Sequence, residues 1–313
     1  MIKFGKRNNL LYPLIFCLTY GFSRIITIVL SETFMDFRAR FLLGSLKFIF
    51  ELFIGILFMY SFINKSKSNQ DTPEKGIKLI QNNNNFHRPD SNRKILFLMT
   101  IAALLQFIDT NARRYVLNSL NHKESRLMHL RLRSLEIVVS SLLSFYFLKI
   151  KIYKHQFVAL IIISISLIFA LVLEFIFIDD KSHISHVLEG LIILLSSTLS
   201  VSGQDIIEKY LFDIDYVDVF KITVYEGLVD TLICLPFYSI KTLRNEVSTI
   251  FNIGYKKTIC IIIYLLIYAI LCGFKSIYRR NTLIQYSPMT RALAESLWDP
   301  AFIVYSDFIK KPD

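Results

Sequence analysis

From Leu10 to Tyr305 the chain repeatedly runs apolar for about 20 residues at a time, the length an α-helix needs to cross the ~30 Å hydrocarbon core of a bilayer. Length and breakers predict helices over 10–30, 41–63, 95–117, 128–148, 156–178, 187–210, 217–240, 258–277 and 289–309. The last is the most interrupted, by Glu295, Asp299 and Pro300. The first run is longer than the ~7–15-residue core of a signal peptide and lacks a small-residue cleavage site, so it reads as a retained helix. Residues 64–93 are instead polar, carry charges of both signs and have asparagine throughout 82–85. Too little apolar surface is present there to fold alone, which predicts a flexible tether. The pattern as a whole predicts an all-α, polytopic membrane helix bundle. Two helices fall in 1–63, the tether in 64–93, helices three to five in 94–178 and helices six to nine in 187–313.

Composition strengthens this picture: 53% hydrophobic residues and a mean hydropathy of +0.47 exceed what one soluble core of 313 residues uses. Most apolar side chains must face lipid or other helices. The net charge of +11 suits basic loops beside anionic lipid, so the bilayer is the expected partner and nucleic acid need not be invoked. Lys3, Lys6 and Arg7, the basic residues of the tether, and Lys149, Lys151 and Lys154 favour a cytoplasmic N-terminus and tether. Arg113, Arg114, Lys123, Arg126, Lys241, Arg244, Lys256 and Lys257 weigh against that orientation. Cys17, Cys234, Cys260 and Cys272 all fall inside apolar runs, which predicts buried free thiols rather than disulfides or a metal site. No HExxH pair, Gly-rich phosphate loop or GxSxG elbow occurs, so neither an enzyme, a cofactor nor a bound metal is expected. Asn64-Lys65-Ser66 is a glycosylation sequon in the tether, and its use would reverse the orientation. Lys310-Lys311-Pro312-Asp313 has the form of a dilysine retrieval signal, but nine spans would put it on the wrong side, so it reads as coincidence.

The stretch from Leu105 to Glu174 carries the most recognisable pattern. A helix ends in an Asn-rich patch (Asn111, Asn118) and a short loop; a second helix with small residues (Ser140, Ser141, Ser144) then ends in Leu148, Lys149 and Lys151 before the next span. This resembles the third to fifth helices of the drug/metabolite transporter superfamily, especially its nucleotide-sugar transporter branch. SGQDIIEKYLFDIDYVDVFKITVYEG (202–227) and YSPMTRALAESLWDP (286–300) are similar to later parts of that superfamily, the second to its ninth helix. The resemblance implies ten helices in two inverted halves of five, of which the last is expected to be missing here, and a secondary-active carrier working by alternating access. It also implies an endomembrane location, Golgi or endoplasmic reticulum, ahead of the plasma membrane, and leaves a homodimer open. An internal echo points the same way: Arg113-Arg114 followed by Ser125-Arg126-Leu127 recurs as Arg279-Arg280 followed by Thr290-Arg291-Ala292. Transporter folds are often built from such repeats around a midplane site.

Charged residues inside the spans are the local clues to a site, because an isolated ion in hydrocarbon costs ~2.5–3.5 kcal/mol or more. Glu226 and Asp230 stand four apart on one helix face, where they suit a cation, a proton or polar solute groups; ion pairs to neighbouring helices are an equal alternative. Arg291, Glu295 and Asp299 recur every fourth residue along one stripe. Arg131, Arg133 and Glu136 cluster on the fourth helix, where Arg133 and Glu136 have pairing distance and arginine suits phosphate or carboxylate. Many nucleotide-sugar transporters carry Lys at the position of Glu136, which weakens a nucleotide-linked substrate. Asp205 with Lys209, and Lys47 with Glu51, have the spacing of helical salt bridges and read as structural, while Arg24 needs a partner from another helix. Ser196, Ser197, Ser200 and Gly203 join the earlier serines as small residues for close helix packing or sliding. The expected solute site is lined by the fourth, seventh and ninth helices, with Arg131, Glu136, Glu226, Asp230, Arg291 and Glu295 as its polar groups. The solute itself is left open among nucleotide sugars, phosphorylated metabolites and amines. A nontransporting membrane scaffold or receptor with the same fold is the alternative function. An ion channel is disfavoured, since no repeated filter loop occurs.

Overall fold

A computed structural model describes residues 10–33, 40–68, 89–119, 122–176, 181–237, 240–252 and 254–297. Among these the secondary structure is helical throughout, with no strand. The helices are α1 (Leu11–Thr33), α2 (Arg40–Ser68), α3 (Pro89–Ser119), α4 (His122–Phe147), α5 (Lys154–Ile176), α6 (Lys181–Asp213), α7 (Val219–Phe237), α8 (Ile240–Asn252), α9 (Tyr255–Gln285) and α10 (Pro288–Ser296). α2 and α3 run several residues into the segment read as a tether, whose centre, 69–88, lies outside the described residues.

The helix ends follow local chemistry. α4 stops where Lys149 takes a positive φ of 54° and Ile150 N–H donates back to Ser144 C=O at 3.3 Å; α6 stops in the same way, with Tyr216 at φ 50° and Val217 N–H on Leu211 C=O at 3.1 Å. In both, a residue in the left-handed region turns the chain back so that the next N–H satisfies a carbonyl the helix leaves free. α10 starts on Ser287, whose hydroxyl accepts from Thr290 N–H at 3.3 Å, with Pro288 in the first turn where no donor is needed.

α8 falls where the sequence pattern predicted only a loop after the seventh span. Its 13 residues are too few to cross a bilayer, and its apolar side packs Ile250 against Leu30, Ile261 and Leu265. Glu246 on α8 caps α2, accepting from Leu42 N–H at 2.9 Å.

By length and composition, four helical segments are suited to crossing a membrane: Leu42–Ser61, Asn92–Arg113, Leu188–Asp213 and Tyr255–Gln285. α7 has 19 residues and carries three charges, Lys221, Glu226 and Asp230, within them. The distribution of polarity is that of a multi-pass membrane protein. Phe157, Ile161, Ile162, Ile165 and Ile168 on α5 and Ile259, Ile262, Ile263 and Leu266 on α9 are exposed, whereas Glu51, Asp205, Glu226, Arg280 and Arg291 are buried. In water this arrangement would place the most costly groups inside and the most apolar ones outside. In lipid it is the cheaper one, because charges meet partners and aliphatic side chains meet hydrocarbon. Cys260 belongs to the exposed apolar face, contrary to the expectation of four buried thiols; Cys234 and Cys272 are buried and Cys17 is half-buried, and none of the four is joined in a disulfide among the described residues.

α6 packs on α3 and α4, α9 packs on α1 and α2, α2 also packs on α7, α7 on α3, and α10 on α4 and α1. The crossings around α2 are close. A Cβ added to Gly227 on α7 would lie 2.8 Å from the Leu52 backbone nitrogen, and one on Gly273 of α9 would lie 2.9 Å from the Phe50 carbonyl oxygen. Glycine at these two positions lets three helix backbones converge, as small residues do at membrane helix interfaces.

Candidate functional site

Convergence of α2, α7 and α9 brings their buried charges together. Arg280, fully buried on α9, donates to Glu226 Oε2 on α7 at 2.6 Å, to Glu51 Oε1 on α2 at 2.9 Å and to Thr223 Oγ1 at 3.0 Å, and lies 3.3 Å from Glu208 Oε1 on α6. Ser276, one turn before Arg280, accepts from its guanidinium and donates to Glu51. Gln204 on α6 threads between these acids: its amide donates to Glu208 Oε1 at 2.9 Å, to Glu226 Oε2 at 3.0 Å and to Gln106 Oε1 on α3 at 2.8 Å. Gln106 in turn donates to Glu51 Oε2 at 2.8 Å. Planar guanidinium and amide groups suit this role, because each offers several donors in fixed directions.

A second centre forms where α4, α6 and α10 meet. Arg291 on α10 ion-pairs with Glu136 on α4, Asp205 on α6 and, at 2.5 Å, Glu295 one turn along its own helix. Glu136 also takes Arg113 of α3 at 3.2 Å, while Arg113 holds Asp109 at 2.6 Å. Lys275 on α9 lies 3.8 Å from Glu295 and over the ring of Tyr20 on α1, 4.6 Å from its centroid. Arg279 joins the two centres, pairing with Glu208 and lying 3.7 Å from Asp205 Oδ1. The outcome is one buried network running through α2, α3, α4, α6, α7, α9 and α10.

Of the residues singled out from the sequence, Glu226 falls in the first centre, and Glu136, Arg291 and Glu295 share the second. Asp230 is wholly buried beside the first centre, and neither of its oxygens has a hydrogen-bond partner among the described residues. Arg131 and Arg133 lie on α4 with their side chains outside the description, and Asp299 is outside the described residues. Two pairs expected within single helices, Lys47 with Glu51 and Asp205 with Lys209, do not form. Glu51 turns to Arg280 while Lys47 donates to Thr110 Oγ1 at 2.8 Å; Asp205 turns to Arg291 while Lys209 pairs with Asp213 at 3.1 Å. A same-helix pair is worth only about 0.2–0.5 kcal/mol, which a buried guanidinium offering several donors outcompetes. Arg24 finds the Tyr20 ring one turn earlier on its own helix, at 5.9 Å.

Glu51, Gln106, Gln204, Glu208, Arg279 and Arg280 are the centre of the network, yet the sequence marked Glu51 as half of a local pair, Gln204 and Glu208 as part of a polar helix turn and Arg279-Arg280 as a repeat, and gave no sign of Gln106. The available signal was Arg279-Arg280 inside Tyr255–Gln285, the most apolar of the four long spans with a hydropathy of 2.2. Two adjacent arginines in so apolar a helix demand acids on its neighbours.

Among the described residues of the network, the acids Glu51, Asp109, Glu136, Asp205, Glu208, Glu226, Asp230 and Glu295 outnumber the cations Lys47, Arg113, Lys275, Arg279, Arg280 and Arg291. Glu226 Oε1, Glu208 Oε2 and Asp205 Oδ1 accept no hydrogen bond, and Arg291 Nε donates none. No group of side chains suited to holding a metal ion occurs among the described residues. No protein-family model and no curated protein matches the chain.

Proposed function

We propose that the chain is a solute carrier of the drug/metabolite type, working by alternating access around the buried network, with a polar metabolite as its solute. The observation that carries this reading is the network itself. Charged and amide groups from seven helices converge inside an apolar shell, an arrangement that is expensive in lipid and that marks solute or ion pathways in membrane proteins.

Helix packing supports the two-repeat part of the proposal. Exchanging α1 with α6, α2 with α7, α3 with α9 and α4 with α10 turns α1 on α9 into α6 on α3, α2 on α9 into α7 on α3, and α4 on α6 into α10 on α1. The α2–α7 and α4–α10 contacts map onto themselves. α3 and α9 are both 31 residues long, and Arg113 and Arg279 stand equally far into them. Each reaches acids on neighbouring helices, as related halves facing a shared centre would. The excess of carboxylates favours an amine or other cationic metabolite over a doubly charged anion. An endomembrane setting belongs to the same proposal.

Counterflow in proteoliposomes tests it, using organic cations, sugar phosphates and nucleotide sugars as probes. Saturable exchange of one class, reduced by Glu226→Gln, is the expected result. Silence across the panel with well-folded protein favours the second reading, a nontransporting scaffold or receptor. One observation speaks for that second reading: the guanidiniums of Arg279, Arg280 and Arg291 are all engaged by internal acids.

A further inference from the structure

Asp230 differs from every other acid of the network. Glu51, Glu208 and Glu226 each bond an arginine, whereas Asp230, buried on α7 one turn beyond Glu226, accepts nothing at either oxygen. One further turn along α7, Cys234 packs with Phe48 of α2 and Phe107 of α3, so Asp230 sits between the ionic centre and an apolar layer. The charged groups within electrostatic reach are Lys47 and Glu51 on α2, Glu226 on α7 itself and Arg280 on α9. α3 faces this region with Gln106 and Thr110, which serve Glu51 and Lys47.

A carboxylate buried with no donor among the described residues is costly to keep charged. A proton removes that charge without needing a coordination shell. A metal ion would need several converging oxygens, and Lys47 and Arg280 nearby would repel it. Lys47 is the one cation here whose ammonium is held by a neutral group, donating to Thr110 Oγ1 and lying 5.0 Å from the Phe48 ring centroid. Its four-carbon stem is flexible, and Asp230 lies within its electrostatic reach.

Resting on the carrier reading, we propose that Asp230 is the proton-carrying group. It holds a proton while Lys47 bonds Thr110, releases that proton when Lys47 swings onto the carboxylate, and so links solute movement to proton movement. The step balances as a carboxylic acid giving one proton to water and becoming a carboxylate paired with the ammonium.

The test is site-resolved labelling of the purified full chain with dicyclohexylcarbodiimide, which reacts with protonated carboxyls in apolar surroundings, read by mass spectrometry of the Asp230 peptide across pH. Labelling of Asp230 is expected at low pH, falling about tenfold per pH unit above its midpoint. Lys47→Met should move that midpoint upward by about one unit, because the cation that favours the carboxylate is gone. Absent or pH-independent labelling of Asp230 in folded wild-type protein overturns the proposal, as does an unmoved midpoint in folded Lys47→Met. The measurement needs no solute, so it separates the two claims. Titrating Asp230 without counterflow sinks the carrier and leaves the proton site; counterflow without titration does the reverse.

Discussion

Removing Arg280 is the sharpest test of the network as the element that holds the bundle together. Arg280→Met keeps the volume and deletes the charge, leaving Glu51, Glu226 and Glu208 with no guanidinium at 2.9, 2.6 and 3.3 Å. Stripping one partner from a buried ion pair costs about 3–5 kcal/mol, and the acids left behind would sit at a crossing where Gly227 and Gly273 allow no slack for water to enter. The three losses are not additive, since the acids are coupled and can relax together. Taking the single-pair figure as the estimate, and ~2–4 °C per kcal/mol for a chain of this size, the melting midpoint should fall by roughly 10 °C. The chain carries its own reporter. Cys234 and Cys272 are buried on α7 and α9 beside the site, so a thiol-reactive fluorophore reads their exposure on heating in detergent, over a constant background from exposed Cys260. Arg280→Lys should fall between, keeping the charge and losing the planar fork. A midpoint for Arg280→Met within about 2 °C of wild type would refute the reasoning, because no buried charge can lose its partner that cheaply.

Glu136→Gln and Arg291→Met should be strongly non-additive in the same melting assay, the double variant losing less than the sum, because the two side chains share one ion pair; additive losses would show that the pair is not formed. Gly227→Ala should lower stability by about 1–3 kcal/mol, since its Cβ meets the Leu52 backbone rather than a movable side chain, and a neutral result in the thermal melt would contradict the close crossing. Glu246→Ala should cost about 1 kcal/mol by uncapping α2 at Leu42, with faster amide exchange confined to the start of that helix as the signature. A membrane-permeant maleimide should modify Cys260 in folded protein and spare Cys234 and Cys272; equal modification of all three would contradict the arrangement of α7 and α9.

How much of this was legible in the sequence depends on whether a feature is periodic or relational. Apolar runs of bilayer length announce α2, α3, α6 and α9, because lipid imposes one length and one polarity on any helix crossing it. α8 escaped notice because only 13 amphipathic residues carry it, and Thr242, Asn245 and Ser248 give them the polarity of a loop. Glu226, Arg291, Glu295 and Glu136 stood out as charges in apolar surroundings, and all four are in the network. Their partners were not legible. Spacing along one helix offers Lys47 to Glu51 and Lys209 to Asp205, but the structure chooses Arg280 and Arg291, 229 and 86 residues away. Such choices are made by which helices cross, and the crossings are set by Gly227 and Gly273, whose importance shows only once a second backbone lies against them.

An interior so fully paired raises the question of what moves when a carrier of this kind changes its facing side. Alternating access requires two arrangements of similar free energy, and a network in which every group were satisfied would favour one arrangement too strongly. The groups left incomplete mark where the second arrangement can gain. Glu226 Oε1, Glu208 Oε2 and Asp205 Oδ1 lie on α6 and α7, as does Asp230, whereas no oxygen of Glu51 on α2 or Glu136 on α4 is left without a hydrogen bond. Among the described residues of the network the spare acceptors therefore lie on two consecutive helices, α6 and α7, and the guanidiniums that face them come from α9 and α10. A rocking motion that slid α6 and α7 against α9 and α10 could exchange one acceptor of each acid for the other without leaving an arginine bare. Breaking Glu51 from Arg280 or Glu136 from Arg291 would have no such compensation. In the carrier proposed above, α6 and α7 would be the helices that rearrange against α9 and α10, with α2 and α4 as the posts on which the arginines pivot.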